Sequence, residues 1–538
     1  MLESMNEWMN GTLAALTRFQ QANFEAVTRN MELTANTMAR MWGQPAAEVL
    51  PADRRFKHEA WQENWAADAL KQNYLITGQW LLDMVDGLEA IDPDLHRRYK
   101  FWMQQFIDSM SPSNFVYSNP EVLQEMVRTG GMSLIRGMEN FLDDARTGRI
   151  SQVPEGSFEV GKDLAITPGK VIYRNKVIEL IQYSPTTEAV SVIPILIVPP
   201  WINKYYVMDM QPHNSLYKYL VDAGFTVFTI SWKNPDQSTL HLEWDDYMDY
   251  GPLTALRIVK EITGSQKVNL VGYCLGGVIS QVTLAYLLAQ DDESVNTSTY
   301  FATHQDFSQA GDIVVFISRP DVLFLEWLMA ASGGYLDGRN MAATFNMLRA
   351  NDLLWNYMVS NYLLGKEPPA FDLLYWNSDG TRVPAKVHSF LLREFFLDNK
   401  LMTPGAARVK GVDIDLSRIT TPTYMVAAKR DHIVPWQGSF LIRQLQGGPV
   451  RFILSGGGHI AGIINPPADN KRAYWINDNG ETDPDTWLAA AAKHEGSWWV
   501  DWIPWLAERS GQQVEPPAMG SAKYSPIIDA PGTYVLEK

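Results

Sequence analysis

Cysteine occurs once in 538 residues, at Cys274. One thiol excludes an intrachain disulfide and any cysteine-based metal site, and histidine does not make good the shortage, because the chain has no H-E-x-x-H and no close histidine pair. Basic side chains are also short, 45 against 61 acidic ones, for a net charge of -16. That balance argues against nonspecific binding to nucleic acid or anionic lipid, so any anionic ligand needs a local basic pocket. No apolar run is long enough for a membrane span. The longest, VSVIPILIVPPWI, is broken by Pro194, Pro199 and Pro200 and reads as a buried strand with a turn. A phosphate-cradling loop is missing too: Gly456 to Gly458 precede a histidine, with no helix opening on Lys-Ser behind them. The first ten residues, MLESMNEWMN, carry acids where a signal peptide carries Lys or Arg, which makes the cytoplasm the expected location.

What is present is a globular composition, 46% hydrophobic and 20% charged, with 19 tryptophans. The length exceeds one ordinary core and implies a large catalytic domain with added helical parts. Residues 1 to about 42 recur at helical period, with Leu13, Leu16, Phe24, Val27, Met31, Met38 and Met41 on one stripe. That stripe packs on the protein itself or meets a partner. Further helices fill 55 to about 147, so residues 1–150 form a helical N-terminal region. From 151 to 538 short β-rich runs alternate with helices, which predicts an α/β domain with a mostly parallel central sheet. The expected strands are KVIYR, VIELIQYS, PILIVP, FTVFTISW, KVNLVG, the polar SVNTSTYFAT, PTYMVAA and VRFILSG. Between about 308 and 405 the alternation gives way to an aromatic helical block, a lid inserted between two strands.

GYCLGG follows the strand KVNLVG and opens the helix VISQVTLAYLLAQ, which is the strand–turn–helix of a G-x-nucleophile-x-G elbow. Gly272 and Gly276 leave room for the bend, and Cys274 stands on it as the candidate nucleophile of an α/β-hydrolase fold. The next backbone amide, that of Leu275, is a candidate oxyanion donor. In this fold an acid and a base follow in chain order. Asp431 lies just past PTYMVAA and His459 just past VRFILSGGG, with His432 a rival base beside the acid. The second oxyanion donor belongs on the loop PPWINKYY, where Pro199 and Pro200 have no N–H; Trp201 and Ile202 remain, and Ile202 is favoured. The other seven histidines have no motif context.

DRRFKHEAW, PPWINKYY, SWKNPD, GYCLGG, NDLLWNYMVSNYLLGKEPPAFDLLYWNSDGTR, DHIVPW, GGGHIAGIINPP and GSWWVDWIPWL together resemble the polyhydroxyalkanoate synthases, the single-polypeptide class I enzymes in particular. The resemblance runs from about residue 53 onward and puts that family's catalytic cysteine, aspartate and histidine on Cys274, Asp431 and His459. It implies polymerisation of (R)-3-hydroxyacyl-CoA to polyester with release of CoA, no metal or redox cofactor, a homodimer, and a cytoplasmic storage granule with its coat proteins as surroundings. Tyr273 resembles the short-chain class, pointing to 3-hydroxybutyryl-CoA. Two features depart from the family, the polar strand SVNTSTYFAT and Trp201 in PPWINKYY. A thioesterase or depolymerase would use the same three residues with water as acceptor, and the apolar lid argues against it. A granule-coating protein without activity is the third reading, opposed by the intact triad.

Overall fold

Asn64, Asp92 and Asn119 each end an extended stretch and turn a side-chain oxygen onto the free amides of the helix that follows. Pro93 and Pro120 take the first helical position, where a missing N–H costs nothing. These signals open α2 (Trp65–Asp86), α3 (Pro93–Ser109) and α4 (Pro120–Arg128), which follow the long α1 (Leu2–Met41) and precede α5 (Met132–Thr147). The computed structural model describes residues 2–44, 47–51, 53–90 and 92–538 and divides the chain into two units. The helices above belong to the first, Met1–Glu155 with Ala343–Ala370.

Within that unit α1 is tied to α2 by Trp80 Nε1, which donates to Asn23 Oδ1 at 3.2 Å, and by an Arg40–Asp68 ion pair at 3.0 Å. Ala22 and Leu33 are buried, whereas Leu13, Leu16, Phe24, Val27, Met31, Met38 and Met41 are all exposed. The stripe therefore does not pack on the protein itself. The DRRFKHEAW stretch forms a small knot: Arg55 reaches Asp53 Oδ2 at 2.7 Å, Asp108 Oδ1 at 3.0 Å and Tyr74 Oη at 2.6 Å, and Phe56 meets Trp61 edge-on at 4.8 Å. Residues 343–370 join this unit through tight contacts. A Cβ on Gly137 would lie 1.8 Å from Tyr362 O, Tyr362 Oη donates to Asp144 Oδ2 at 2.6 Å, and Asn361 Nδ2 donates to Ser151 O at 2.7 Å. The block read from sequence as 308–405 is thus shared between the two units.

The second unit, Gly156–Ala342 with Phe371–Lys538, is built on one large sheet. Its strands are β1 (Gly169–Arg174), β2 (Ile178–Tyr183), β3 (Ile195–Val198), β4 (Val227–Trp232), β5 (Val268–Tyr273), β6 (Val295–Phe301), β7 (Thr423–Ala428), β8 (Val450–Ser455), β9 (Ala473–Ile476), β10 (Ala492–Glu495) and β11 (Ile528–Asp529). They lie in the order β10-β9-β8-β7-β6-β5-β3-β4-β2-β1-β11. From β8 to β4 every neighbouring pair is parallel, and both flanks are antiparallel. This is the α/β-hydrolase arrangement, and all eight strands expected from the sequence are in it.

Strands β3, β4, β5 and β7 are buried at every position, as a parallel sheet covered on both faces requires. Polar β6 sits among them because its hydroxyls find partners. Thr297 donates to Asn269 Oδ1 at 2.8 Å, Ser298 and Thr423 are 2.7 Å apart, and Trp502 Nε1 donates to Thr299 Oγ1 at 3.2 Å. A buried hydroxyl that is hydrogen-bonded escapes the desolvation penalty of an orphaned one. After β6 the chain leaves the sheet, and it returns at β7; the inserted helical block lies between. β5 feeds α6 (Leu275–Ala289), a helix with no polar face, buried along most of its length.

Candidate active site

Cys274 occupies the bend between β5 and α6 with φ 52° and ψ -121°, a conformation that a side chain adopts only when its surroundings force it. Its N–H donates to Phe301 O at 2.9 Å, and its carbonyl accepts from Gly277 N at 2.9 Å and Val278 N at 3.1 Å, which fixes the bend from both sides. Close approach explains the glycines. A Cβ on Gly276 would lie 2.1 Å from Val198 O and 2.6 Å from Pro199 C, and one on Gly272 would lie 2.5 Å from Gly277 Cα. The first turn of α6 is thus pressed against the end of β3, and the loop that starts at Pro199 begins beside the elbow. Leu275 and Gly276 open α6, where backbone amides have no carbonyl of a preceding turn to donate to.

Asp431 follows β7 and His459 follows β8. His459 Nδ1 is 2.7 Å from Asp431 Oδ2, while Asp431 Oδ1 accepts from the amides of Ile433 and Val434, both at 2.9 Å. The aspartate side chain is fully buried. Burial alone would raise its pKa; the His459 charge and hydrogen bond and the two amides outweigh that and hold it below its ordinary value. Burial likewise opposes a charge on His459, but the charge of Asp431, that of Cys274 and hydrogen bonds to both push its pKa well above 6.5. The three residues are therefore brought together, with the imidazole between thiol and carboxylate. His432 adjoins Asp431 and its backbone carbonyl accepts from Asp312 N at 3.0 Å, but the carboxylate's histidine is His459.

Two neighbours of this group carry no role in the sequence reading. Tyr273, read there only as a mark of acyl length, stacks on the His459 ring at 5.6 Å, and its hydroxyl donates to His459 O at 3.3 Å. His304, one of the histidines without motif context, is buried against Phe307 at 4.9 Å; burial, offset in part by Asp431, pushes its pKa down to about 3. Its position just after β6 was the available signal, since strand ends on this edge of a parallel sheet converge on the site.

The loop after β3 is held by its carbonyls. Pro199 O accepts from Trp232 Nε1 at 2.8 Å, Trp201 O from Thr381 Oγ1 at 3.1 Å, and Lys204 O from Trp376 Nε1 at 2.7 Å. Trp201 itself packs edge-on against Trp244 at 5.4 Å, a wall contact. Among the described residues no group of three or more His, Cys, Asp or Glu could hold a metal ion, and no helix is long and apolar enough to cross a membrane.

Comparison with known proteins adds the following. A family model described as the poly-beta-hydroxybutyrate polymerase (PhaC) N-terminus matches residues 52–220, and the alpha/beta hydrolase fold model matches residues 193–466. The poly(3-hydroxyalkanoate) polymerase subunit PhaC of Cupriavidus necator is 42% identical over 491 residues, 90% of this chain and 83% of that one. The poly(3-hydroxyalkanoate) polymerase of Methylorubrum extorquens is 42% identical over 515 residues, 94% and 85% of the two chains. The polymerase subunit PhaC of Rhizobium meliloti is 40% identical over 528 residues, 97% and 85%.

Proposed function

The chain belongs to the poly(3-hydroxyalkanoate) polymerases, acyltransferases that build polyester, and from that premise we propose that it polymerises short (R)-3-hydroxyacyl-CoA through an acyl-Cys274 intermediate served by His459 and Asp431. The observation that carries this reading is the His459–Asp431 pair at 2.7 Å, adjoining the strained elbow that presents the chain's one thiol.

The first half of the cycle follows from the charge state. His459 is biased toward its protonated form by Asp431 and Cys274, so it accepts the Cys274 proton as the sulfur attacks. The Cys274 sulfur attacks the thioester carbonyl; its C–O π electrons move to oxygen, and the Leu275 and Ile202 amides receive that oxyanion. Collapse breaks the bond to CoA sulfur, and His459 gives its proton to the departing thiolate. Acylation also removes the Cys274 charge. One of the charges holding the proton on His459 is then gone, so the imidazole is left neutral and better able to act as a base. In that state it takes the proton of an incoming 3-hydroxyl, whose oxygen attacks the acyl-Cys274 carbonyl; the ester forms and the cysteine leaves as thiolate.

No metal or redox cofactor enters these steps, and CoA is substrate and product only. Tyr273, which resembles the short-chain class, supports 3-hydroxybutyryl-CoA as the substrate. The resemblance is the ground for the remaining proposals: a homodimer, working in the cytoplasm on a polyester granule and its coat proteins. The test is to give purified wild type and Cys274→Ala 3-hydroxybutyryl-CoA and measure CoA, free acid and polymer mass together. The expected result is high-mass polyester from wild type and neither CoA release nor covalent acyl label from the variant. Free acid equal to CoA, without polymer, would make the protein a thioesterase.

A further inference from the structure

The oxyanion assignment needs the Ile202 amide to be aimed, and two segments outside the loop, 380–381 and 535–537, hold that part of the chain. Thr381, buried within the inserted segment, donates from Oγ1 to Trp201 O at 3.1 Å. Asn203 bridges Gly380, next in sequence to that threonine. Lys204, 3% exposed, sends Nζ to two backbone carbonyls, Val535 O at 2.9 Å and Glu537 O at 2.5 Å, so residues 535–537 also brace the loop. Burying an ammonium on carbonyls is expensive, and an apolar side chain would fill the same space at lower cost. The expense is explicable if the loop must be held in one orientation.

Among these contacts Thr381 acts on the peptide that matters. The 201–202 peptide is trans, so its C=O and N–H lie in one plane and point in opposite directions across the C–N bond. Fixing the direction of Trp201 O therefore fixes the direction of the Ile202 N–H. We propose that Thr381 is a positioning residue for acyl transfer: its hydroxyl, through Trp201 O, sets the plane of the 201–202 peptide and hence the aim of the Ile202 amide at the oxyanion. The inference rests on Ile202 being the second donor, and it makes the inserted segment part of the oxyanion machinery.

The test compares full-length wild type, Thr381→Val and Thr381→Ser in two single-turnover reactions at Cys274. One is acylation by 3-hydroxybutyryl-CoA, which passes through an oxyanion; the other is alkylation by iodoacetamide, which does not. Valine keeps the shape and removes the donor, and is expected to slow acylation by about 10²-fold, the cost of a misplaced catalytic group, with alkylation unchanged. Serine restores the donor and is expected to recover acylation. Wild-type acylation by Thr381→Val, or equal losses in the valine and serine variants, would overturn the inference. An amide-to-ester replacement at residue 202, which removes that N–H and also weakens Trp201 O as an acceptor, separates the two layers when read against Thr381→Val. If the ester leaves acylation intact, the Ile202 assignment fails and the inference with it; if the ester slows acylation and Thr381→Val does not, the inference alone fails.

Discussion

Asp431→Asn is expected to divide the two proposed chemical steps. Asparagine keeps an oxygen for the Ile433 and Val434 amides, now at 2.9 Å, but sets an N–H₂ group against His459 Nδ1, which is now 2.7 Å from Oδ2. Two consequences follow. The imidazole loses the negative charge that, against the penalty of burial, does most to keep it protonated. Its remaining proton is also displaced to Nε2, because the new amide donates to Nδ1. Without that charge-assisted bond the His459 pKa falls and the imidazole no longer holds its second proton. Acylation then relies on whatever thiolate forms without an imidazolium partner, and because a thiol is intrinsically a good nucleophile the loss is about tenfold. Elongation must deprotonate a hydroxyl, for which no unassisted fraction is available, and the loss is about 10⁴, as for the same change in a serine triad. Rapid-quench measurement of acyl-Cys274 against steady CoA release reads the ratio, about 10³. Raising the pH should recover acylation and leave elongation impaired, because hydroxide can take the proton of a thiol while the base for the hydroxyl does not return. Equal losses in the two steps, or joint recovery with pH, would refute the division of roles.

Other changes test other parts. Gly276→Ala sets a methyl 2.1 Å from Val198 O, so the elbow must open; we expect a loss of about 1–3 kcal/mol in unfolding free energy together with most of the alkylation rate at Cys274. Asp209, held near 6 by burial that its Ser215 and Thr167 hydrogen bonds only partly offset, has a folded pKa above its ordinary 3.8. It favours the folded state fully below pH 3.8, and that contribution is lost as pH rises to 6; Asp209→Asn should thus raise Tm at pH 8 and lose most of the advantage by pH 4. A Tm gain independent of pH would contradict this. Progress curves of CoA release should show a lag shortened by an oligomeric 3-hydroxyacyl primer, since a bound chain favours the open form of the inserted block by its higher affinity for that form; an unchanged lag would exclude that mechanism.

Much of the sheet was legible because burial imposes a pattern on sequence. KVNLVG and PTYMVAA could be read from their apolar runs, and the elbow from glycines that close packing leaves no alternative to. The polar β6 was legible only through its position in the alternation, since its hydroxyls are satisfied by residues far along the chain, Thr423 and Trp502 among them. Strand β10 was not legible at all: AKHE is exposed at every residue and is held by pairing with β9. In the site, Cys274, Asp431 and His459 have local signatures, whereas Thr381 reaches the loop through a contact with a backbone carbonyl that no motif records, and the motif residue Tyr273 gives no hint that it stacks on His459. The α1 stripe shows the converse limit, because periodicity identifies an apolar face without stating what covers it.

The first unit holds residues from two distant stretches, Met1–Glu155 and Ala343–Ala370. A ribosome delivers them in that order, and at about 5–20 residues per second the stretch between takes on the order of ten seconds or more to emerge. For that interval Gly137, Asp144 and Ser151 have neither Tyr362 nor Asn361 to close against, so helices made before the intervening stretch are completed only after it.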